Sequence, residues 1–241
     1  MTSNQASPDP STGHRVALVT GGSRGLGRAL SAELLRRGWR VVVDARDAAR
    51  LDEAVAALPD PGSVTAVPGD VADPAHRDRL AAAIAGLGGL DLLVNNASVL
   101  GPSPQPRLAD YPLAVLEQVY AVNTVAPLAL AQLLLPQLER RGGRVVNVSS
   151  DAAAEAYQGW GGYGSSKAAL DQLTAVLAAE HPGLRIYAFD PGDMNTDLHQ
   201  QAFPGEDISD RASPESVVPA LLRLVEGDLP SGRYRAAELG R

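Results

Sequence analysis

The stretch Val16-Ala17-Leu18-Val19-Thr20-Gly21-Gly22-Ser23-Arg24-Gly25-Leu26-Gly27 decides the fold. An apolar, β-branched run ends at three spaced glycines, and apolar residues at helical spacing follow at once. This pattern predicts a strand, a tight turn and a helix start, whose free N–H groups and positive dipole end suit a pyrophosphate. Glycine-rich turns also serve as plain strand-to-helix links, so the turn alone leaves nucleotide binding open.

Composition limits the class of protein. A chain of 241 residues can form one large α/β domain. A net charge of −7 and a pI near 5.1 argue against a nucleic-acid or anionic membrane surface, and the absence of cysteine excludes disulfides and thiolate chemistry. The polar residues 1–13 lack the apolar core of a signal peptide, and the longest apolar run, Ala126–Leu135, is too short for a membrane span. We therefore expect a disordered arm over residues 1–13 and a single domain over residues 14–241 of a cytoplasmic protein.

The second predicted strand, Trp39–Val43, ends in Asp44-Ala45-Arg46. In a dinucleotide-binding fold this position meets the adenosine ribose, where a carboxylate favours a free 2′-hydroxyl and an arginine favours a 2′-phosphate. We place the decisive position at Ala45, so that Arg46 faces the phosphate and Arg24 adds a second charge. Two alternatives stay open. Asp44 could itself occupy the acidic position, and both arginines could be solvated surface residues.

Strands and helices then alternate along the chain, which predicts an α/β fold with a Rossmann-like, doubly wound parallel sheet of about seven strands and helices on both faces. The further predicted elements are helices Ala48–Leu58, Pro74–Leu87, Leu113–Ala121 and Pro214–Glu226, and strands Ser63–Val67, Leu90–Asn96, Gly143–Ser150, Arg185–Phe189 and Arg233–Arg235. The stretch after Asp190 is expected to be irregular as far as that last helix.

Polar residues follow several of these strands. Asp70, beside Val71, could accept a hydrogen bond from an adenine amino group or cap the next helix, although Asp73 is the favoured cap. Asn95 and Asn96, before Ala97, indicate a fixed polar network beside the ligand, because buried amides need partners.

The central part of the chain predicts a pocket wall and a subunit interface. The proline-rich loop Ser98–Pro112 follows a strand end and is expected to line the pocket. Asn123 interrupts a helical pattern, which indicates a backbone irregularity. The helix that follows, to about Glu139, is apolar on more faces than one core contact needs. We expect a homodimer or homotetramer through the long helices around residues 124–139 and 164–180.

A tyrosine and a lysine open the helix that is predicted to run to about Glu180. Tyr163 and Lys167 are four residues apart and share one helical face. A lysine ammonium about 4 Å from a phenolate attracts it by about 4 kcal/mol at an effective dielectric constant of about 20, which lowers the phenol pKa. Desolvation acts in the opposite direction. Tyr163 could then exchange a proton with a substrate oxygen, although such a pair taken alone is usually a surface pair.

Taken together, these motifs resemble the short-chain dehydrogenase/reductase family in its single-domain form, over about Arg15–Glu226. The resemblance implies a catalytic set of Asn123, Ser150, Tyr163 and Lys167. It implies cofactor contacts from Gly21, Ser23, Arg24, Gly25, Leu26, Gly27, Arg46, Asp70, Val71, Asn96, Ala97, Tyr163, Lys167, Pro191, Gly192 and Thr196.

The resemblance also implies a reaction, which is hydride transfer between NADP(H) and a carbonyl or alcohol carbon of a small molecule. Tyr163 would protonate the carbonyl oxygen, which Ser150 would hold. Lys167 would lower the tyrosine pKa and bind the nicotinamide ribose, and Asn123 would anchor a water that passes protons to Lys167. NADP(H) is the expected cofactor and NAD(H) stays possible. The alternatives are an NADP-binding regulatory or scaffold protein without turnover and an NAD-dependent alcohol dehydrogenase.

The sequence departs from the family pattern at two places. Ser98 replaces the glycine that usually follows the Asn-Asn-Ala motif, and we expect a modest local effect. Residues 231–241 lack the usual glycine-rich end, which puts a tetramer through the final strand in doubt. The four histidines are scattered, so no metal is assigned. His199, Tyr157 and Trp160 are candidate pocket residues and favour a partly apolar substrate.

Overall fold

The computed structural model describes residues 14–240, so the predicted arm over residues 1–13 lies outside the described residues. The strands are β1 Val16–Val19, β2 Arg40–Ala45, β3 Val64–Pro68, β4 Leu92–Asn95, β5 Arg144–Val148, β6 Arg185–Asp190 and β7 Gly232–Arg235. The helices are α1 Gly25–Arg36, α2 Ala48–Ala56, α3 Pro74–Gly86, α4 Leu113–Tyr120, α5 Ala126–Arg141, α6 Gly161–Glu180, α7 Asp197–Ala202, α8 Pro214–Glu226 and α9 Ala236–Leu239.

The seven strands form one parallel sheet in the order β3-β2-β1-β4-β5-β6-β7. Val19 pairs with Val43 on one side and Val94 on the other, so these strands end at nearly the same level. The strand order reverses between β1 and β4, and in such sheets ligands bind outside the carboxyl ends of the strands at this point. The predicted doubly wound sheet of seven strands is confirmed.

Two apolar layers cover the sheet. On one face α1, α2 and α8 pack on side chains such as Val19, Val43 and Phe189. On the other face α3, α5 and α6 pack on Leu18 and Leu93. Because both faces are covered, the strands are apolar almost throughout, as expected for a buried parallel sheet.

The helices α4 and α5 are joined by a π-helical turn over Ala121–Val125. The irregularity predicted at Asn123 is therefore confirmed, but the two predicted helices form one continuous run. This run, Leu113–Arg141, is long and apolar enough to cross a bilayer by length and composition alone, and half of its most apolar window is buried in the protein. The expectation that no segment reaches that length is thus corrected. Length and composition alone do not distinguish a membrane-spanning helix from the buried core helix of a soluble protein.

One short helix lies where an irregular stretch was expected. α7 begins after Thr196, whose side-chain oxygen accepts a hydrogen bond from the backbone N–H of His199 at 3.3 Å. Threonine is a favoured residue at this capping position. With six residues, α7 is too short to show a helical period in the sequence, which explains why it was missed.

Candidate active site

A cleft of about 760 Å³ lies at the carboxyl edge of the sheet, a volume typical of small-molecule sites. Most of the predicted site residues line it: Gly21, Ser23, Arg24, Gly25, Leu26, Arg46, Asp70, Val71, Asn96, Ala97, Ser150, Tyr163, Lys167, Pro191, Gly192 and Thr196. Gly27 and Asn123 do not, because both are buried behind the cleft wall. Residues separated by more than 170 positions in the chain thus meet in one cavity.

The glycine turn presents the start of α1 to this cleft. Gly21 and Gly25 adopt positive φ values of 69° and 54°, which favour glycine. A Cβ atom at Gly27 would lie 2.5 Å from the Gly21 carbonyl oxygen, so this glycine permits close packing rather than contact with a ligand. Arg24 precedes the helix without a side-chain cap, which leaves the first-turn N–H groups available. This donor set fits a pyrophosphate.

Asn96 and its neighbours support the turn from behind. The Asn96 side-chain amide donates to the carbonyl oxygens of Thr20 at 2.8 Å and Gly21 at 3.2 Å. The Thr20 hydroxyl accepts hydrogen bonds from the backbone N–H groups of Asn96 and Ala97, both at 3.0 Å. Asn95 donates to Asn147 at 2.7 Å in the adjacent strand. The predicted polar network beside the cleft is therefore confirmed, and its members hold the turn in place.

Asp44 and Arg46 differ in whether their side chains are free to bind a ligand. The Asp44 carboxylate is buried, accepts a hydrogen bond from the Gly21 N–H at 2.8 Å and lies 2.9 Å from His76 Nε2. Arg46 is exposed, lines the cleft, and has no hydrogen bond or ion pair to any residue in the described range 14–240. The guanidinium of Arg46 is thus open to an anion at the end of β2.

Arg24 is paired with another side chain, which the sequence did not indicate. Its guanidinium forms an ion pair with Asp197 at the start of α7, and Arg50 reaches the same carboxylate at 3.2 Å. All three side chains are about half exposed. Asp197 therefore offsets part of the positive charge that we expected Arg24 to present, while Arg50, one turn beyond Arg46 in sequence, adds a cation that the sequence analysis did not name.

The remaining predicted cofactor contacts lie along the same wall. Asp70 accepts a hydrogen bond from the Ala72 N–H at 2.8 Å, and Asp73 caps α3, as expected. At the other end of the cleft, Gly192 adopts φ +72° after Pro191. Its N–H donates to Asp190, the last residue of β6, at 3.0 Å.

Tyr163 and Lys167 lie in the first turns of α6, beneath the cleft. The Lys167 ammonium donates to the Val148 carbonyl oxygen at 2.7 Å and lies 5.6 Å from the centre of the Tyr163 ring. Burial raises the pKa of Tyr163 to about 12, although hydrogen bonds with the hydroxyls of Ser98 and Ser150 oppose it. Burial lowers the pKa of Lys167 to about 8. The prediction that the Tyr163 pKa is lowered is therefore wrong. Desolvation of the phenolate raises this pKa by more than the neighbouring protein groups lower it.

Ser150 follows β5 and faces the same phenol. Its hydroxyl donates to Asp151 at 2.9 Å and accepts a hydrogen bond from the Ala152 N–H at 3.2 Å. Asp151 also accepts a hydrogen bond from the Tyr157 hydroxyl at 3.0 Å. The neighbouring Ser149 is buried, and its hydroxyl has no hydrogen-bond partner among the described residues. Of the two serines, Ser150 alone contacts Tyr163 among the groups that shift its pKa.

Asn123 is fully engaged by the protein. Its amide nitrogen donates to the Val99 carbonyl at 2.9 Å and to the Ser166 hydroxyl at 3.0 Å. Its amide oxygen accepts hydrogen bonds from the Val99 N–H at 2.9 Å and from the Ser98 hydroxyl at 3.2 Å. A side-chain amide makes at most about four hydrogen bonds. The side-chain amide therefore holds Ser98, Val99 and Ser166, and the role of Asn123 in anchoring a water stays a prediction.

An aromatic cluster covers the outer part of the cleft. Trp160 contacts Tyr163 with ring centres 5.8 Å apart and Phe203 at 5.9 Å, and Phe203 lies 4.8 Å from His199. His199 is 8% exposed, and its Nε2 atom has no partner among the described residues. The predicted pocket residues Trp160 and His199 both line the cleft, whereas Tyr157 is 43% exposed and lies outside it.

The composition of the chain sets Lys167 apart, which the sequence motifs did not indicate. It is the sole lysine among 21 basic residues, the other twenty being arginines. Arginine stays protonated at every accessible pH, whereas a buried lysine can titrate near neutral pH. The buried Lys167 can therefore release and take up a proton where an arginine could not. Among residues 14–240, no group of three histidine, aspartate or glutamate side chains is placed to hold a metal ion.

Comparisons with known proteins agree with this geometry. A sequence model of the short chain dehydrogenase family matches residues 15–207. The chain is 41% identical over 180 residues to the rhamnolipids biosynthesis 3-oxoacyl-[acyl-carrier-protein] reductase of Pseudomonas aeruginosa, covering 71% of this chain and 69% of that protein. It is 38% identical over 205 residues to the sepiapterin reductase of Mus musculus, covering 79% and 78%. A short chain dehydrogenase from Escherichia coli CFT073, complexed with NADPH, superposes with a TM-score of 0.86 at 28% identity, covering 93% of this chain and 97% of that one.

Proposed function

This chain belongs to the short-chain dehydrogenase/reductase family of oxidoreductases, and we propose that it is an NADP(H)-dependent carbonyl reductase. One observation carries the proposal. Tyr163, Ser150 and the buried Lys167 lie in the same cleft as an uncapped helix start and an arginine that is free to bind an anion. Such a cleft can hold a dinucleotide phosphate and deliver a proton to a substrate oxygen beside it.

The proposed chemistry divides between cofactor and protein. When bound, the nicotinamide supplies a hydride to the carbonyl carbon or takes one from the alcohol carbon. Tyr163, protonated at neutral pH because burial raises its pKa to about 12, gives its proton to the substrate oxygen. The single O–H of Ser150 donates to Asp151 in the structure; in the proposed reaction it turns to the substrate oxygen and holds that oxygen beside the phenol. Lys167, with a pKa of about 8, keeps a proton within reach of Tyr163 and binds the nicotinamide ribose.

The charges at the end of β2 support NADP(H) over NAD(H). The Asp44 carboxylate is engaged by Gly21 and His76, so it is not free for the ribose 2′-hydroxyl. Arg46 lies open to a 2′-phosphate instead. The complex of NADPH with the similar Escherichia coli protein is consistent with this preference.

The outer cleft supports a partly apolar carbonyl substrate. Trp160, Met194 and Leu198 provide apolar surface, while His199 contributes a buried Nε2 atom that has no hydrogen-bond partner among the described residues. A pocket of this kind holds a ring or an acyl chain and orients it with few polar contacts. Two of the relatives are named as reductases, one of 3-oxoacyl-[acyl-carrier-protein] and one of sepiapterin, and these names are consistent with the proposed reduction.

The proposal is tested by NADPH consumption against a panel of ketones and aldehydes, including 3-oxoacyl thioesters and cyclic and aromatic ketones. We expect turnover of at least one class, with the corresponding alcohol as product and one NADPH consumed per alcohol. Tight NADPH binding without turnover of any carbonyl would contradict the proposal and favour a regulatory protein.

We further propose that the protein is cytoplasmic and assembles through its long helices. Val125 and Leu133 on one helix and Val176 on α6 are 55%, 40% and 41% exposed. Exposed apolar side chains on long helices favour a contact between two copies of the chain. Light scattering of the purified protein tests the proposed assembly, and a monomer would contradict that assembly.

A further inference from the structure

Arg233 lies on β7, the last strand of the sheet and beyond the residues that match the family model. Its guanidinium makes three hydrogen bonds at the carboxyl edge. Nε donates to Asp171 at 2.9 Å, and Nη2 donates to the Ser150 carbonyl oxygen at 2.9 Å and to Asp190 at 3.2 Å. A planar guanidinium can bind several acceptors in fixed directions, which a lysine ammonium cannot.

Each of these three partners belongs to a different part of the candidate site. Ser150 carries the hydroxyl that faces Tyr163. Asp190 precedes Pro191 and Gly192, and its other oxygen accepts a hydrogen bond from the Gly192 N–H at 3.0 Å. Asp171 lies one helical turn after Lys167 on α6. A single side chain from the end of the fold therefore connects β5, β6 and α6 where they meet the cleft.

Arg233 also balances two charges close to the reacting groups. The Asp190 side chain is 4% exposed and that of Asp171 is 18% exposed. The charge of Asp190 raises the pKa of Tyr163, and that of Asp171 raises the pKa of Lys167. Carboxylates this buried need a cation nearby. Arg235 lies 3.6 Å from Asp190 but reaches neither Asp171 nor Ser150 in the described structure.

We propose that Arg233 is a positioning residue, which sets the Ser150 hydroxyl against Tyr163 and holds the Pro191–Gly192 segment and α6 in fixed relation to it. This inference rests on the proposed carbonyl reductase function. The opposing account is that Arg233 only anchors an edge strand. In that case its loss would lower stability without a specific effect on the reacting groups.

The test uses three variants of the full-length protein. Arg233→Ala removes both the charge and the three hydrogen bonds of the guanidinium. Arg233→Lys keeps the charge but cannot make those three bonds, and Arg185→Ala is the matched control. Arg185 is the first residue of β6, at the amino end of the strand that pairs with β7, and it forms an ion pair with the exposed Asp228. Each variant is measured for kcat and KM with NADPH and a carbonyl substrate, and for thermal unfolding.

A second readout does not depend on activity. Since Lys167 is the sole lysine, incorporation of [ε-¹³C]lysine gives a single side-chain NMR signal whose pH titration reports the pKa of this amine. Asp171 is the charged neighbour that raises this pKa, and the centre of the Tyr163 aromatic ring lies 5.6 Å from the ammonium. Removing Arg233 leaves the charge of Asp171 without its counterion.

We expect Arg233→Ala to lower kcat at least tenfold with less than a threefold change in the KM for NADPH, and to raise the Lys167 pKa. Arg233→Lys contains a second lysine, so its Lys167 signal is identified by comparison with the single signal of wild type. That signal should keep the wild-type pKa while kcat stays low, and Arg185→Ala should match wild type in both. A wild-type kcat and Lys167 pKa in Arg233→Ala would overturn the inference, even if the variant unfolds at lower temperature. If Arg233→Ala does not fold, a wild-type kcat in Arg233→Lys overturns the inference.

If wild type reduces no carbonyl, the proposed function fails, and the lysine titration still decides the electrostatic role of Arg233.

Discussion

The Asp44 carboxylate and the His76 ring lie 2.9 Å apart, and both side chains are buried beneath the glycine turn. The second carboxylate oxygen of Asp44 accepts a hydrogen bond from the Gly21 N–H. Moving this carboxylate to a ribose would break two buried hydrogen bonds, and leaving a buried partner unsatisfied costs about 1–3 kcal/mol. The acid at the end of β2 therefore supports the turn, while the exposed Arg46 lines the cleft and is the residue that we propose to bind the nucleotide.

The substitution Asp44→Asn separates these two roles. Asparagine can still accept the Gly21 N–H, but it weakens the contact with His76, so we expect the free energy of unfolding to fall by about 1 kcal/mol. The ratio of NADPH to NADH affinity should stay within twofold of wild type, measured by fluorescence titration. A tenfold shift of that ratio toward NADPH would mean that Asp44 binds the ribose.

The substitution Arg46→Ala tests the proposed phosphate contact. Charge-assisted hydrogen bonds contribute about 1.5–3 kcal/mol, and 1.4 kcal/mol corresponds to a tenfold change in affinity. We expect NADPH to bind at least tenfold more weakly while NADH binding is unchanged. The control Arg28→Ala makes the same change of charge on the exposed side of α1, outside the cleft. Equal losses for both nucleotides, or an equal loss in the control, would contradict the assignment.

The depressed pKa of Lys167 predicts a pH dependence of stability. Burial lowers this pKa to about 8 from an ordinary value of 10.5. Between these two values the unfolded chain binds a proton that the folded chain has released, so this residue makes the free energy of unfolding increase as pH rises from about 8 to about 10. The full effect is at most about 3 kcal/mol. The raised pKa of Tyr163 acts only above pH 10.

Urea unfolding of wild type and Lys167→Met at several pH values measures this effect. The stability of wild type relative to the variant should rise between pH 8 and pH 10 and stay constant between pH 6 and pH 7. A constant difference across the whole range would show that the lysine titrates normally in the folded protein.

Ser98 differs from the glycine of the family pattern, and the structure places its hydroxyl between Asn123 and Tyr163. We expect Ser98→Gly to lower kcat by less than tenfold, because Ser150 and Lys167 stay in place. Ser150→Ala should lower kcat by about a hundredfold or more, as expected for loss of a group that holds the reacting oxygen. Steady-state kinetics at pH 7 compares the two, and a larger loss in Ser98→Gly would reverse their roles.

Much of this architecture could be predicted from the sequence because its signals are local. The glycine turn, the apolar strands and the capping residue Asp73 each specify their own conformation from neighbouring residues. Even the π-helical turn was indicated by one poor helix former, Asn123. The family pattern then located the cleft residues, of which only Gly27 and Asn123 do not reach its surface.

What the sequence did not predict depends on contacts between distant residues. The ion pair of Arg24 with Asp197 joins positions 173 residues apart, and the bond of Arg233 to Ser150 spans 83 residues. The pKa of Tyr163 was predicted in the wrong direction because the spacing to Lys167 shows a shared helix face but not the degree of burial. Desolvation depends on the whole packed structure.

The most direct test of the account compares wild type with Tyr163→Phe, which removes the proton-donating oxygen and keeps the ring contacts with Trp160. NADPH affinity and NADPH-dependent carbonyl reduction are measured on the same preparations. We predict that the variant binds NADPH within a few-fold of wild type and reduces carbonyl compounds at least a thousandfold more slowly. Equal rates of reduction by the two proteins would contradict the assignment of Tyr163 as the proton donor, and with it the proposed mechanism.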